Sequence, residues 1–555
     1  MKRFKKVISV MLVATMVLSL AACGKTDDKK DTTKKGPIEN MTNCIASEPE
    51  TIDPSLNSSL DGATYILHLF EGLMKFEPTE DGESKVVEGQ AKKVDISEDK
   101  LTYTFHLRDG IKWSDGKAVT ANDFEYAWKR LVDPKTASDY QAFLSCLENA
   151  ADIVAGKKDI DELGVKATDE KTLEVKLVAP ADYFLSMTAG AQLVPLRKDL
   201  VDGNAEWTFA PETLVSNGPF SLKEWIHDDA IVMSKNKEYY DAKKVTVNEI
   251  TWKLMADQNA MLAGFKGGTL DMINDVPVDE VKTLLDDGSL ITLPQLGTYA
   301  VVFNTEKKPF DDPKVREALS LAIDRNYICE KVVQTGVEPA SAWVPAGINS
   351  LDKDGKASDF REAGGDYYAI TDDKYEANVK KAKQLLADAG YPEGKGFPVV
   401  TYLYNTSDAH QKIFESLENM WSEKLGITVT GSNQDWNVFL TTRSDGDFEV
   451  CRHGWVADFD DAINFLDMWT TSSIGGNNYA RWSNKEYDKL IEKSITETDT
   501  ENRTKILHQA EDILMNDNAI APLYFYRDRQ CLSKEIGGLF HSSLGYFFFK
   551  YCYKK

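Results

Sequence analysis

Apolar residues recur along this chain with two periods, one of two residues and one of three to four, and the periods alternate from end to end. Leu101, Tyr103, Phe105 and Leu107 alternate with Thr102, Thr104 and His106, the pattern of a strand with one buried face, and Asp109-Gly110 supplies a turn before Ile111 and Trp113. Thr120 is placed to cap a helix bearing Phe124, Trp128 and Leu131, with Asp123 completing a capping box and Pro134 closing the element. Leu173, Val175 and Leu177 predict another strand. Asp312-Pro313 predicts a cap and first-turn proline for a helix that buries Val315, Leu319 and Ala322 or Ile323, and Ala382, Leu385, Leu386 and Ala389 mark a helix stopped by Gly390 and Pro392. A strand at Val399–Tyr404, a helix at Gln411–Leu425 with Ile413, Leu417, Met420 and Trp421 inward, a stop at Gly426 and a strand at Ile427–Thr430 make a β-α-β unit. These signals predict an α/β protein with mixed sheets.

No stretch rich in Pro, Gly or Ser divides the body, although 555 residues suffice for two or more domains. Domains are therefore expected to interleave, with the chain crossing between lobes several times, an arrangement suited to a hinge that closes a cleft. The composition, 42% apolar and 28% charged, is that of a globular protein and excludes a disordered or collagenous chain. With 65 Lys and Arg against 89 Asp and Glu, the net charge of −24 repels phosphate backbones, so nucleic acid is not an expected partner.

The one long uncharged apolar run is Val7 to Leu20, preceded by Lys2, Arg3, Lys5 and Lys6. It falls short of the roughly 20 residues a membrane-spanning helix needs and reads as a secretory signal. Leu20-Ala21-Ala22-Cys23 resembles the lipobox of bacterial lipoproteins, which implies a signal peptide at 1–22 and lipid on Cys23. Gly24 to Pro37 lacks apolar periodicity, so 23–37 reads as a flexible tether. Together they imply a body anchored to the outer face of the cell membrane by that lipid alone.

Motifs for catalysis are missing: there is no GxSxG, HExxH or GxxxxGK[ST], and no GxGxxG after a strand. No histidine pair has metal-ligand spacing, and Asp352-Lys353-Asp354-Gly355 lacks the later ligands of a calcium loop. Neither metal nor cofactor is expected. Cys44, Cys146, Cys329, Cys451, Cys531 and Cys552 are too dispersed to define a disulfide framework, and no bridge is assigned. Acidic pairs for glycoside hydrolysis stay open, because sequence gives no separations.

The informative run is Phe448 to Asp461. A strand-like start, Gly454 where another backbone could approach, Trp455, and Asp458 at the strand's exit make an edge for an extended ligand. The alternative is that Asp458, Asp460 or Asp461 caps a helix near Ala462, with Trp455 in the core. Asp53-Pro54, Leu69-Phe70-Glu71-Gly72-Leu73, Tyr103 to Gly116, Val119 to Phe124, Asn217-Gly218-Pro219-Phe220 and Arg452 to Asp458 occur in an order that resembles the peptide-binding subunits of bacterial ABC importers, extracellular solute-binding protein family 5. Tyr404-Asn405-Thr406-Ser407-Asp408, Asp133-Pro134 with Thr136-Ala137-Ser138, and Gly454-Trp455 with Ala457-Asp458 resemble its oligopeptide-binding branch.

The resemblance implies a two-lobed, periplasmic-binding-protein-like (class II) fold with an extra small domain. Lobe I would comprise 38–70, 196–297 and 528–555, the small domain 71–195, and lobe II 298–527. It implies a non-enzymatic, monomeric receptor that captures short peptides between the lobes and delivers them to a permease and ATPase. Dipeptides, haem, a nickel chelate or a sugar are alternative guests within the family, and reception of a signalling peptide is an alternative role. Asp458 would receive the peptide's ammonium. The main chain of Gly454 and Val456 would pair with its backbone, opposite Ser58 to Leu60. Arg452, Arg443 or His410 would meet its carboxylate, and Tyr140, Trp436, Trp455 and Tyr526 would line side-chain pockets. Asp460-Asp461 adds negative charge beside the ammonium end, from which a preference for basic guests is expected.

Overall fold

The computed structural model describes residues 36–80, 84–351 and 356–555. The signal run, Cys23, the tether up to Lys35 and the Asp352 to Gly355 sequence lie outside the described residues.

One mixed sheet runs through the molecule. Its strands follow the order Val429–Gln434, Val400–Asn405, Val450–Val456, Leu290–Phe303, Ile520–Leu532, Met272–Ile273, Met41–Cys44, Glu249–Lys253, Ala230–Lys235 and Phe220–Ile226. The two longest strands, Leu290–Phe303 and Ile520–Leu532, lie antiparallel at the centre and belong to both halves. They pair from Leu290 to Pro294 in one half and from Thr298 to Val302 in the other, with the register broken between Pro294 and Thr298. Pro294 lacks an N–H, and the irregularity bends and twists the ribbon where the lobes meet. Both long strands continue through this break in register.

Apart from this sheet stands a four-stranded antiparallel sheet, Ala91–Ile96, Thr102–Leu107, Thr172–Lys176 and Val165–Asp169 in spatial order 91–96, 102–107, 172–176, 165–169. Tyr103, Phe105 and Leu107 face its core and alternate with half-buried residues, as the period-two pattern predicts. The helix Ala121–Val132 covers it, burying Phe124, Trp128 and Leu131. At its start the Asp123 carboxylate accepts from the Thr120 N–H at 2.8 Å.

The β-α-β unit of the second half forms as Val400–Asn405, Asp408–Leu425 and Val429–Gln434, with the strands parallel. The helix starts earlier than the apolar spacing suggests, and Gly426 ends it in a left-handed turn at φ 71°. The following strand begins at Val429 because residues 426–428 complete that turn. Asp312 caps the helix Pro313–Leu321 by accepting from the Lys314 N–H at 2.9 Å.

Several motifs that carry the family resemblance are structural. Asp53 takes both guanidinium nitrogens of Arg130 at 2.7 Å and the Trp207 indole at 2.8 Å, fastening the amino-terminal segment to the small-sheet helix. Asn217 holds the Glu71 peptide group on both sides, at 3.1 and 2.8 Å, and a side chain on Gly218 would meet the Leu69 carbonyl at 2.7 Å. All six cysteines from Cys44 to Cys552 are buried free thiols.

Candidate functional site

Between the halves lies a cavity of about 700 Å³. Ser58, Leu60, Tyr140, His410, Trp436, Arg443, Arg452, Gly454, Trp455, Val456, Asp458 and Tyr526 all border it. Residues separated by up to 468 positions thus share one wall system, built by the central strands and the elements opposite them.

The strand Val450–Val456 supplies the cavity's backbone edge. On one side it pairs with Leu290–Phe303 along its length, from Val450 opposite Phe303 to Val456 opposite Gly297. On the other side it pairs with Val400–Asn405 only at Val450 and Cys451. From Arg452 to Val456 that second edge carries no strand partner. The Ala457 N–H donates inward to the Leu296 carbonyl at 2.8 Å, so the two-residue alternation turns the peptide groups of Gly454 and Val456 outward, into the cavity. The Ser58 to Leu60 segment opposite is a helix cap rather than an edge: the Ser59 hydroxyl accepts from the Gly62 N–H at 3.2 Å and opens the helix Leu60–Leu69.

Asp458 follows directly on this strand and is 7% exposed. Its carboxylate accepts from Gln192 Nε2 at 3.0 Å, Asn464 Nδ2 at 3.2 Å and the Tyr140 hydroxyl at 3.4 Å, all neutral donors. Among the described residues no cation pairs with it. Burial pushes its pKa up to about 6, against the pull of those three hydrogen bonds. Asp467 behind it is pushed up to about 7 by burial and by the Asp458 charge.

The charge imbalance is reversed toward the start of the strand. Arg452 donates to Asn405 Oδ1 at 2.7 Å and lies over the Trp436 and Phe439 rings at 5.3 and 5.0 Å. Arg443 approaches His453 Nδ1 at 3.3 Å and lies 3.9 Å over Tyr479, with its Nε unpartnered. Both arginines are buried, and neither has a carboxylate partner among the described residues. His410 meets the Tyr299 hydroxyl at 3.2 Å, and burial beside Arg452 and Arg529 holds it well below the usual imidazole range, so it is neutral here. Glu50 and Asp139 lie within electrostatic reach of Arg443 without forming an ion pair, so the cavity has an unpaired carboxylate at one end and two arginines outside any ion pair at the other.

Trp455 stacks on Tyr140 at 6.2 Å and 22° while its indole donates to Asn464 Oδ1 at 3.1 Å. Gly454 has a different cause from the one its sequence context suggests. A Cβ there would lie 2.1 Å from the Tyr526 hydroxyl, so the vacant space takes that phenol and not a second backbone. Asp460 and Asp461 also depart from expectation. Asp460 accepts from the Asn349 N–H at 2.8 Å, and Asp461 takes Arg503 at 2.8 and 2.9 Å and the Ile463 N–H at 2.9 Å. Asp461 thus braces the entry to the short helix Ile463–Leu466; neither acid borders the cavity, and a preference for basic guests has no source in them. Gln192, Tyr479 and Tyr546 border the cavity and Asn464 holds Asp458 from behind; the sequence pattern marks none of them, because each lies in a loop or a one-turn helix without periodicity or motif.

A family model, Bacterial extracellular solute-binding proteins, family 5 Middle, matches residues 85–477. The Oligopeptide-binding protein OppA of Bacillus subtilis is 36% identical over all of both chains, and the Dipeptide-binding protein DppE of the same organism is 34% identical over all of both. The solved structure of the Escherichia coli murein tripeptide binding protein MppA superposes with a TM-score of 0.85 at 34% identity, over 93% of this chain and 98% of that one. The unliganded open form of MppA superposes over 94% and 98% with a TM-score of only 0.61. The arrangement here therefore departs from that open form and matches the other MppA structure more closely.

Proposed function

Because the chain belongs to the bacterial extracellular solute-binding proteins of family 5, we propose that its cavity captures extended oligopeptides and presents them to an ABC permease for uptake. The observation that carries this reading is the open edge from Arg452 to Val456 lying between the unpaired carboxylate of Asp458 and the unpaired guanidinium groups of Arg452 and Arg443. A receptor for many sequences can hold only what all peptides share: main-chain amides and carbonyls, the ammonium and the carboxylate. Each has a counterpart here. A guest with its ammonium at Asp458 and its carboxylate toward Arg452 runs antiparallel to the edge strand. At roughly 3.3 Å per residue the span between those groups, shortened by their side chains, suits about three to five guest residues.

Gly454 and Val456 pair with the guest backbone, the Ser58 to Leu60 turn faces its other side, and Tyr140, Trp436, Trp455 and Tyr526 bound pockets whose remaining space water fills. His410 is a neutral donor or acceptor for the carboxylate end. Lobe I at 38–70, 196–297 and 528–555, the small domain at 71–195 and lobe II at 298–527 close over the guest as bodies of a monomer, and differential affinity for the shut form drives closure. Lipid on Cys23 keeps this non-enzymatic receptor at the outer face of the membrane.

Native mass spectrometry of the purified protein tests the reading. Short peptides should co-purify, should return intact after incubation, and should be lost from Asp458→Ala. A panel of di- to hexapeptides separates oligopeptide from dipeptide capture, and hydrolysis of the guests would overturn the assignment.

A further inference from the structure

The donors around Asp458 come from opposite sides of the cleft. Asn464 belongs to the same half as Asp458; its Oδ1 also fixes the Asp458 N–H at 2.9 Å, so it travels with the carboxylate. Gln192 and Tyr140 stand on the other body. Gln192 occupies the short turn Ala191–Leu193, pinned by the Trp128 indole at 3.0 Å from the Leu193 carbonyl. It is 4% exposed, and its Oε1 is buried without a partner. Burying an amide with one end unpaired is costly, and an apolar side chain of the same length would fill that space without the cost. What the amide adds is the 3.0 Å bond from Nε2 to Asp458 Oδ1 across the cleft.

We propose that Gln192 is a positioning residue that couples closure of the cleft to capture of the guest's ammonium. It reaches Asp458 only when the lobes are shut, and its N–H then holds the carboxylate ionised and aimed along the cavity. The inference rests on Asp458 being the ammonium acceptor. Tyr140 supplies a weaker second donor at 3.4 Å from the same side. The other ionisable groups facing this carboxylate are Asp467 behind it and Tyr546 in front; Asp461, which acts on Asp467, is neutralised by Arg503. No other charge replaces the bond that Gln192 makes.

The test is calorimetric titration of the full chain with trialanine and with N-acetyl-trialanine, between pH 5 and pH 8. Gln192→Met keeps the length of the side chain and removes the donor; Gln192→Leu serves if the methionine variant fails to fold. The loss of a hydrogen bond to a charged group lowers trialanine affinity about tenfold or more at pH 7 and moves the midpoint of its acid-side decline up by about one pH unit. Binding of the acetylated peptide, which has no ammonium, should fall by clearly less than that of trialanine, because it loses only the bond that favours closure. Equal losses for both peptides, or an unmoved midpoint, would overturn the inference and leave Gln192 a packing residue. Asp458→Asn separates the two levels: if it binds trialanine like the wild type, the ammonium reading itself fails, whereas if it loses binding and Gln192→Met does not, only the coupling fails.

Discussion

Asp458→Asn should weaken the receptor and strengthen the protein, and the two effects have one cause. The empty carboxylate is 7% exposed, has only neutral donors, and titrates at about 6. Against about 3.9 in an unfolded chain, that is a shift of about two units, or about 3 kcal/mol by which ionisation disfavours the folded state. The sign follows from the direction of the shift: the cost is absent below about pH 4, where both states are protonated, grows between about pH 4 and 6, and is fully present above that range. Asparagine preserves the shape and hydrogen-bonding capacity without the charge. In calorimetric melts of guest-free protein, the variant should therefore be more stable than the wild type by about 1–3 kcal/mol at pH 8 and indistinguishable from it at pH 4. For peptide binding the sign reverses. Leaving a guest ammonium buried without its counter-charge costs about 3–5 kcal/mol, which is roughly a 100- to 4,000-fold rise in Kd. Titration with trialanine reads the second quantity. A variant that binds normally refutes the assignment of Asp458, and one that loses affinity and stability together at pH 8 refutes the claim that its charge is uncompensated.

Three further outcomes are expected. Peptide affinity of the wild type should fall as the pH drops through about 6, since the guest requires the ionised carboxylate; His410 and His453, both held well below the imidazole range by burial, contribute nothing there, so a midpoint above 7 in titrations would contradict this account. Gly454→Ala should displace the Tyr526 phenol and cost about 1–3 kcal/mol of stability, and Tyr526→Phe should relieve part of that loss in a double-mutant cycle, because the nearest ring carbon then lies 3.1 Å away. Burial pushes the thiols of Cys44, Cys146, Cys329, Cys451 and Cys531 up to about 12, and Cys552 is raised in the same way, so an aromatic disulfide reagent at pH 8 should label none of them in the native protein and all of them in denaturant.

Periodicity and local chemistry determined, from sequence alone, the elements with the strongest apolar spacing and clearest caps. Phe105 beside Thr104, Asp123 three residues after Thr120, and Gly426 after Leu425 act over one or two turns of chain, where steric preference and hydrogen-bond geometry are local and legible. The ordered motifs from Asp53-Pro54 to Asp458 pointed to the family, and the structure shows what several of them do: Asp53 with Arg130, and Asn217 with Glu71, are bonds that hold separate segments together. What no local pattern carries is which charges remain unpaired. Asp458, Asp460 and Asp461 look alike along the chain; Arg503 and Asn349, far away in sequence, neutralise or engage the last two, and Gln192 and Asn464 leave the first buried beside the cavity with no cation among the described residues. Tertiary structure alone decided that, because electrostatic compensation and desolvation depend on distance through space, and folding brings these partners together from up to 266 residues apart.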